Sequence, residues 1–364
     1  MEKIKLSDYG FKVLQIETTA ACNMQCSFCP YPLKEDKTSK LELHNIFNIL
    51  DQVDVNDDKF KYVTFSQFNE PLLDKRIFEV LKYAKNKNIK VLFITNGLLL
   101  NKENNVKNLL DIKPDIKISL QVLDQTKHKD ARGLNLELDR YVNNVINFCK
   151  LAKDKDINIT IDIGCNFNEK KISYLVRNFF GIQSGDPSVP RDSSTALNYF
   201  ERYLKLFFDI ADDENKDKIQ KVMKTKSISR FYNDQDGIKI YENIILKIKP
   251  FFYGRRIDDF YSINNNFSCE SEILSILADG NVVPCCLAYD DRISLGKAQN
   301  FSLKQIIENN KKFLTNLRTN KGEKHEVCKK CFGEPTKRGV LFRNIYNNLP
   351  LYIRNSSIMN FFKS

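Results

Sequence analysis

Histidine is scarce: only His44, His128 and His325 occur, dispersed and without a ligand spacing, so a histidine-based metal site or triad has no support. No run approaches the roughly 18 consecutive apolar residues of a membrane span, which argues against a membrane protein. Met1-Glu2-Lys3-Ile4-Lys5-Leu6 is followed by no apolar signal region and no small-residue cleavage site, which predicts a cytoplasmic location. Internal repeats are absent, and so is a dense basic tract. The net charge of +11 is spread along the chain as on a solvated surface. The interleaved aromatic and basic motifs of common RNA-binding folds are also missing, which disfavours a nucleic-acid partner.

What is present is a globular composition, with 42% hydrophobic and 11% aromatic residues, which excludes a disordered chain. A length of 364 residues suits one large core plus a smaller appendage. Short β-branched or apolar runs at Val13 to Ile16, Tyr62 to Phe65, Lys90 to Ile94, Ile116 to Leu120 and Ile157 to Ile163 predict strands. Leu41 to Leu50, Lys75 to Lys85 and Leu138 to Lys153 carry apolar residues three and four apart, as helices packed on a sheet do. The alternation predicts an α/β fold with a parallel sheet or barrel, whose chemistry belongs at the C-terminal ends of the strands.

Those ends are polar: Glu17-Thr18-Thr19, Gln67 to Pro71, Thr95-Asn96-Gly97, Gln121 and Cys165-Asn166. Singly, Asn-Gly and Asn-Glu-Pro read as turns. From 181 to 265 the rhythm breaks into a Gly/Pro/Ser-rich stretch and lysine-rich helical patterns, read as an insertion or cap. Asp279-Gly280-Asn281 predicts a hairpin within Ile273 to Val283, and a helix is expected over Leu303 to Leu317.

Ten cysteines in a reducing compartment are poor disulfide candidates, and seven fall into close groups, which points to metal or cluster ligation. Cys22, Cys26 and Cys29 place three thiols within eight residues on the loop after the first strand. Three soft ligands suit a 4Fe-4S cluster with one iron open for a substrate or cofactor, whereas a structural zinc wants four. Cys269, Cys285, Cys328 and Cys331 supply four, which spacing alone assigns to either a second 4Fe-4S cluster or one zinc ion. Cys286 is an alternative to Cys285. Cys149 lies in an apolar helix pattern and reads as a core residue.

The three-residue and two-residue gaps of the Cys22 group, with Phe28 before the last cysteine, resemble the signature of radical S-adenosylmethionine (SAM) enzymes. In that family the cofactor chelates the open iron and is cleaved to a 5'-deoxyadenosyl radical that abstracts a substrate hydrogen atom. The resemblance implies a partial (β/α)6 TIM-like barrel and cofactor contacts from Phe28, Asn69, Glu70, Ser119, Gln121 and Arg132. Gln67 to Pro71 stands where the family usually has a Gly-Gly-Glu-like segment, here without the glycines. A guanidinium such as that of Arg132 suits the cofactor carboxylate.

The later cysteines, the Asp279-Gly280 turn and Leu295-Gly296 resemble the SPASM or twitch region of such enzymes, in its single-cluster form because no cysteine follows Cys331. The implied layout is a barrel core over 1–180, a helical insertion or cap with the last barrel elements over 181–265, an auxiliary-cluster domain over 266–345 and a tail over 346–364. Cofactors would be two 4Fe-4S clusters and SAM, and the partners a small-molecule or peptide substrate and a reductant such as flavodoxin or ferredoxin.

Three functions compete. One is dehydrogenation of a sugar-like or other small substrate, with the auxiliary cluster accepting an electron. The second is epimerisation or peptide modification, in which Cys165 or Cys286 returns a hydrogen atom; for both thiols simple packing is the bland alternative. The third is a zinc-stabilised binding module, which leaves the Cys22 group unexplained.

Overall fold

The computed structural model describes residues 2–120, 129, 132–164, 201–225, 237–249, 260–285, 287–320, 322–334 and 336–349. The expected alternation appears as β1 (Val13–Ile16), α1 (Leu43–Asp51), β2 (Tyr62–Thr64), α2 (Ile77–Asn86), β3 (Leu92–Thr95), α3 (Glu103–Ile112), β4 (Asp115–Ser119), α4 (Leu138–Ala152) and β5 (Ile159–Gly164). Then follow α5 (Asp213–Thr225) and the hairpin of β6 (Ile238–Tyr241) and β7 (Ile244–Lys249). Parallel pairing runs β1-β2 and β3-β4-β5-β7, and a parallel Val63 to Val91 bridge joins the two groups. Among the described residues β1 to β5 and β7, parallel and alternating with helices, make a partial (β/α)6 barrel.

Alternation along the strands sorts their side chains. Ile116, Ile118, Ile159, Ile161, Ile244 and Leu246 turn to the apolar core. In the same core lie the residues of α4 at helical spacing, among them Val142, Val145, Ile146 and Cys149. Each fully buried aliphatic side chain there contributes about 1.5–3 kcal/mol. The opposite face carries the register rows Lys117, Thr160, Ile245 and Ser119, Asp162, Lys247. The barrel interior is therefore polar at its C-terminal rim.

The cysteine-rich C-terminal region is built onto the first strand. β8 (Ile273–Ile276) pairs in parallel with β1, β9 (Asn281–Val283) returns antiparallel, and β10 (Gly296–Lys297) follows. Gly280 turns the hairpin at φ +86°, a conformation glycine adopts without strain. Next come α6 (Leu303–Asn309), α7 (Lys311–Arg318), α8 (Glu326–Cys331) and α9 (Lys337–Asn348).

The single helix expected over Leu303 to Leu317 is two helices, broken at Asn310. The Asn310 side-chain amide donates to the carbonyls of Leu295 (2.7 Å) and Ile306 (2.8 Å), so local side-chain bonding competes with helix continuation. Part of the stretch read as an insertion, residues 237–249, forms the β6–β7 hairpin, in which β7 belongs to the barrel sheet. Among the described residues no helix is long and apolar enough to cross a membrane.

Candidate active site

Cys22, Cys26 and Cys29 lie on the loop leaving β1, with Cys26 buried and the other two half-buried. Backbone and side-chain N–H groups are aimed at the sulfurs: Tyr31 N donates to Cys29 Sγ and Arg132 Nη1 to Cys26 Sγ, both at 3.4 Å. The loop is also clamped from outside, because Gln25 N donates to Arg132 O at 2.9 Å. Gly133 sits against it at φ +68°, where a Cβ would come within 2.5 Å of Gln25 O. Burial pushes the Cys22 thiol up to about 12, and burial together with the neighbouring Cys26 raises Cys29 as well. Thiolates in this pocket need a cationic group to compensate them.

The strand ends converge on this loop. Glu70 N donates to Ala21 O, and its buried carboxylate accepts from Thr95 Oγ1 (2.8 Å), Asn96 N (2.8 Å) and Leu72 N (3.2 Å). Burial raises the Glu70 carboxyl to about 7 against these donors. Asn69 uses its side chain within its own loop, accepting from Gln67 N and donating to Phe65 O. Ser119 ends β4 beside the site, and its carbonyl accepts from Arg132 Nη2 at 2.5 Å. Phe28 is half-buried against the main core. Gln121, Cys165 and Cys286 lie outside the described residues.

Several participants are not among the residues given a ligand or cofactor role from sequence. Asn96 donates to Asn23 Oδ1 (2.7 Å), and its carbonyl accepts from Tyr141 OH (2.5 Å). Asn96 carried a sequence signal, as a polar strand-end residue. Tyr141 did not, because its helical spacing matches an ordinary core position. Glu17 accepts from Lys34 Nζ, Phe68 N and Ala278 N, and so ties together the cysteine loop, the β2 loop and the auxiliary hairpin.

At the second cysteine group, Cys269 and Cys328 share a small apolar cluster with Ile263, Phe267 and Leu317. Burial pushes Cys328 up to about 12, with the neighbouring Cys269 adding to it. Burial likewise raises Cys269, opposed by a backbone bond from Ser271. Cys285 packs with Leu277, Val283 and Ala288 beside Val327, the neighbour of Cys328, and accepts from Leu287 N at 3.3 Å. Cys331 is half-buried at the end of α8. Cys149, by contrast, is wholly buried in the core, and burial raises its thiol to about 12, as an inert packing residue requires.

One aromatic patch joins the Cys22 loop to the segment that follows Cys285. Tyr289, four residues after Cys285, clusters with Tyr31 and Phe68, and Cys22 and Cys29 pack against that cluster. Its ring meets Phe68 edge-on at 6.4 Å, and Gln67 Nε2 donates to Ala288 O at 2.9 Å.

The donor sets fit iron-sulfur groups. None of the eight described cysteines is in a disulfide, which leaves their sulfurs available as ligands. N–H donors to the sulfurs, as at Cys26, Cys29 and Cys285, are the contacts that tune such clusters.

Residues 16–179 match the family model of the radical SAM superfamily, and residues 268–332 match the SPASM iron-sulfur cluster-binding domain, together more than half of the chain. The chain belongs to the radical SAM superfamily. Within it, this is a protein with a C-terminal SPASM domain, and its cofactors are a 4Fe-4S cluster with SAM and auxiliary iron-sulfur ligation.

A tungsten-containing aldehyde ferredoxin oxidoreductase cofactor-modifying protein of Pyrococcus furiosus is 27% identical over 123 residues, 34% of this chain and 34% of that protein. The match spans about a third of that relative's length. Among solved structures, native anSMEcpe with bound AdoMet is 17% identical at TM-score 0.48, covering 96% of this chain and 100% of that one. BtrN in complex with AdoMet and 2-DOIA is 13% identical at TM-score 0.46, covering 90% and 93%. Streptococcus suis SuiB bound to precursor peptide SuiA is 16% identical at TM-score 0.45, covering 83% and 66%.

Proposed function

We propose that this protein dehydrogenates a small polar substrate at a carbon bearing a hydroxyl or amine. Cys22, Cys26 and Cys29 hold the catalytic cluster, and Cys269, Cys285, Cys328 and Cys331 a single auxiliary cluster. When bound, the first cluster and SAM supply a 5'-deoxyadenosyl radical, and the auxiliary cluster supplies a one-electron acceptor. Phe28, Asn69, Glu70 and Ser119 line the cofactor side.

The observation that carries this reading is that Tyr289, four residues after Cys285, belongs to the aromatic cluster with Tyr31 and Phe68 on which Cys22 and Cys29 pack. This docks the segment that follows Cys285 beside the catalytic loop, the arrangement that electron transfer to an auxiliary group requires. The substrate gives up one hydrogen atom, one proton and one electron, so a base is also required. Asp162 fits, being only 8% exposed and opposite Ser119 in the polar row of the barrel interior.

Anaerobically reconstituted protein, reduced and given SAM with mixed aminocyclitols and amino sugars, is expected to form 5'-deoxyadenosine and a product lighter by two hydrogens. An isomeric product, unchanged in mass in ordinary water and heavier by one mass unit in deuterated water, would instead establish epimerisation.

A further inference from the structure

We propose that Arg132 is a positioning and electrostatic residue for Cys26, donating an N–H···S hydrogen bond that raises the reduction potential of the cluster, and not the partner of the cofactor carboxylate. The inference rests on the reading of Cys26 as a cluster ligand. A guanidinium grips a carboxylate through two parallel N–H groups. Here that fork is already engaged: Nη1 donates to Cys26 Sγ at 3.4 Å, and Nη2 donates to Ser119 O at 2.5 Å and approaches Tyr141 OH at 3.5 Å. Nε has no acceptor among the described residues, whereas both terminal nitrogens of the fork do. The side chain is 2% exposed, so its charge acts across a medium that screens it poorly.

The backbone around it is fitted to the same loop. Arg132 O accepts from Gln25 N, the residue before Cys26, and Gly133 N donates to Lys129 O at 2.8 Å. With Gly133 lying where any Cβ would strike Gln25 O, the segment is held at one distance from the cysteine loop. A fixed cation beside a ligating thiolate favours the more negatively charged, reduced cluster, because hydrogen bonds and charge at the sulfurs set the potential.

The test uses the reconstituted full chain with Arg132→Met and Arg132→Lys. Redox titration followed by electron paramagnetic resonance without SAM gives the potential, and equilibrium dialysis gives SAM affinity. A Cys22→Ala/Cys26→Ala/Cys29→Ala variant identifies which signal belongs to this cluster. The expected result is a more negative potential in Arg132→Met, restored toward wild type in Arg132→Lys, with SAM affinity preserved in both. Should Arg132→Met lose its iron, Arg132→Gln, neutral and still able to fill the pocket, takes its place.

An unchanged potential overturns the proposal. If SAM affinity falls at the same time, Arg132 is the carboxylate partner; if neither moves, it only packs. Failure of the underlying reading looks different, because the triple cysteine variant would then keep all of its iron.

Discussion

Lys34 Nζ lies 2.7 Å from Glu17 Oε2, with the two side chains 4% and 0% exposed. A buried pair of this kind is weak evidence for stability by itself, but breaking it leaves a desolvated charge behind. Glu17 also accepts from Phe68 N (3.0 Å) and Ala278 N (3.3 Å), so its loss would loosen three segments at once. Glu17→Gln is therefore expected to cost about 3–5 kcal/mol in urea denaturation. Glu17→Gln combined with Lys34→Met should cost clearly less than the sum of the two single changes, because the doubly substituted protein strands no charge. Additive losses would show that the ion pair is not coupled.

How legible this was in the sequence depended on range. Strands β1 to β5 follow from β-branched runs, and Cys149 from helical spacing, because periodicity is local. The Cys22 loop was legible because its three thiols lie within eight residues. Glu17 stood out as a polar strand end, yet nothing in sequence pairs it with Lys34, 17 residues on. Arg132 is 106 residues from Cys26, and β8 joins β1 across some 260, so neither contact leaves a periodic trace. Asn69 shows the converse. It stands at the expected strand end, but its side chain bonds within its own turn, as Asn commonly does.

Gly133 gives a prediction that separates the two sites. At φ +68° a non-glycine residue is strained by about 1–3 kcal/mol, and its Cβ would press on Gln25 O at 2.5 Å. Gly133→Ala should therefore displace the Cys22 loop and lower its iron occupancy, while the C-terminal cysteines keep theirs. Mössbauer or resonance Raman spectra of the reconstituted protein would report the loss; full occupancy of both sites would show that the loop tolerates the shift.

Iron stoichiometry tests the division of the cysteines. Wild type should hold about eight irons, and Cys328→Ala/Cys331→Ala about four, given four in each cubane. In the same proteins acid-labile sulfide should fall in parallel with iron. About four irons in both, with zinc lost from the variant, would leave the SPASM region a zinc-stapled tail and remove the electron acceptor from the proposed reaction.

Asp162 decides whether that reaction needs a proton acceptor in the barrel. Its carboxylate sits in the register row of Ser119 and Lys247, on the face opposite the apolar core, near the C-terminal rim. The C-terminal rim is where barrels of this kind do their chemistry. Asp162→Asn keeps the shape and removes the basicity, so the iron content and the formation of 5'-deoxyadenosine should survive. Oxidised product should fall by about 10²–10⁴, the usual worth of a positioned general base. Equal losses of 5'-deoxyadenosine and product would place Asp162 in cofactor or substrate binding, and an unchanged product yield would move the proton to another group.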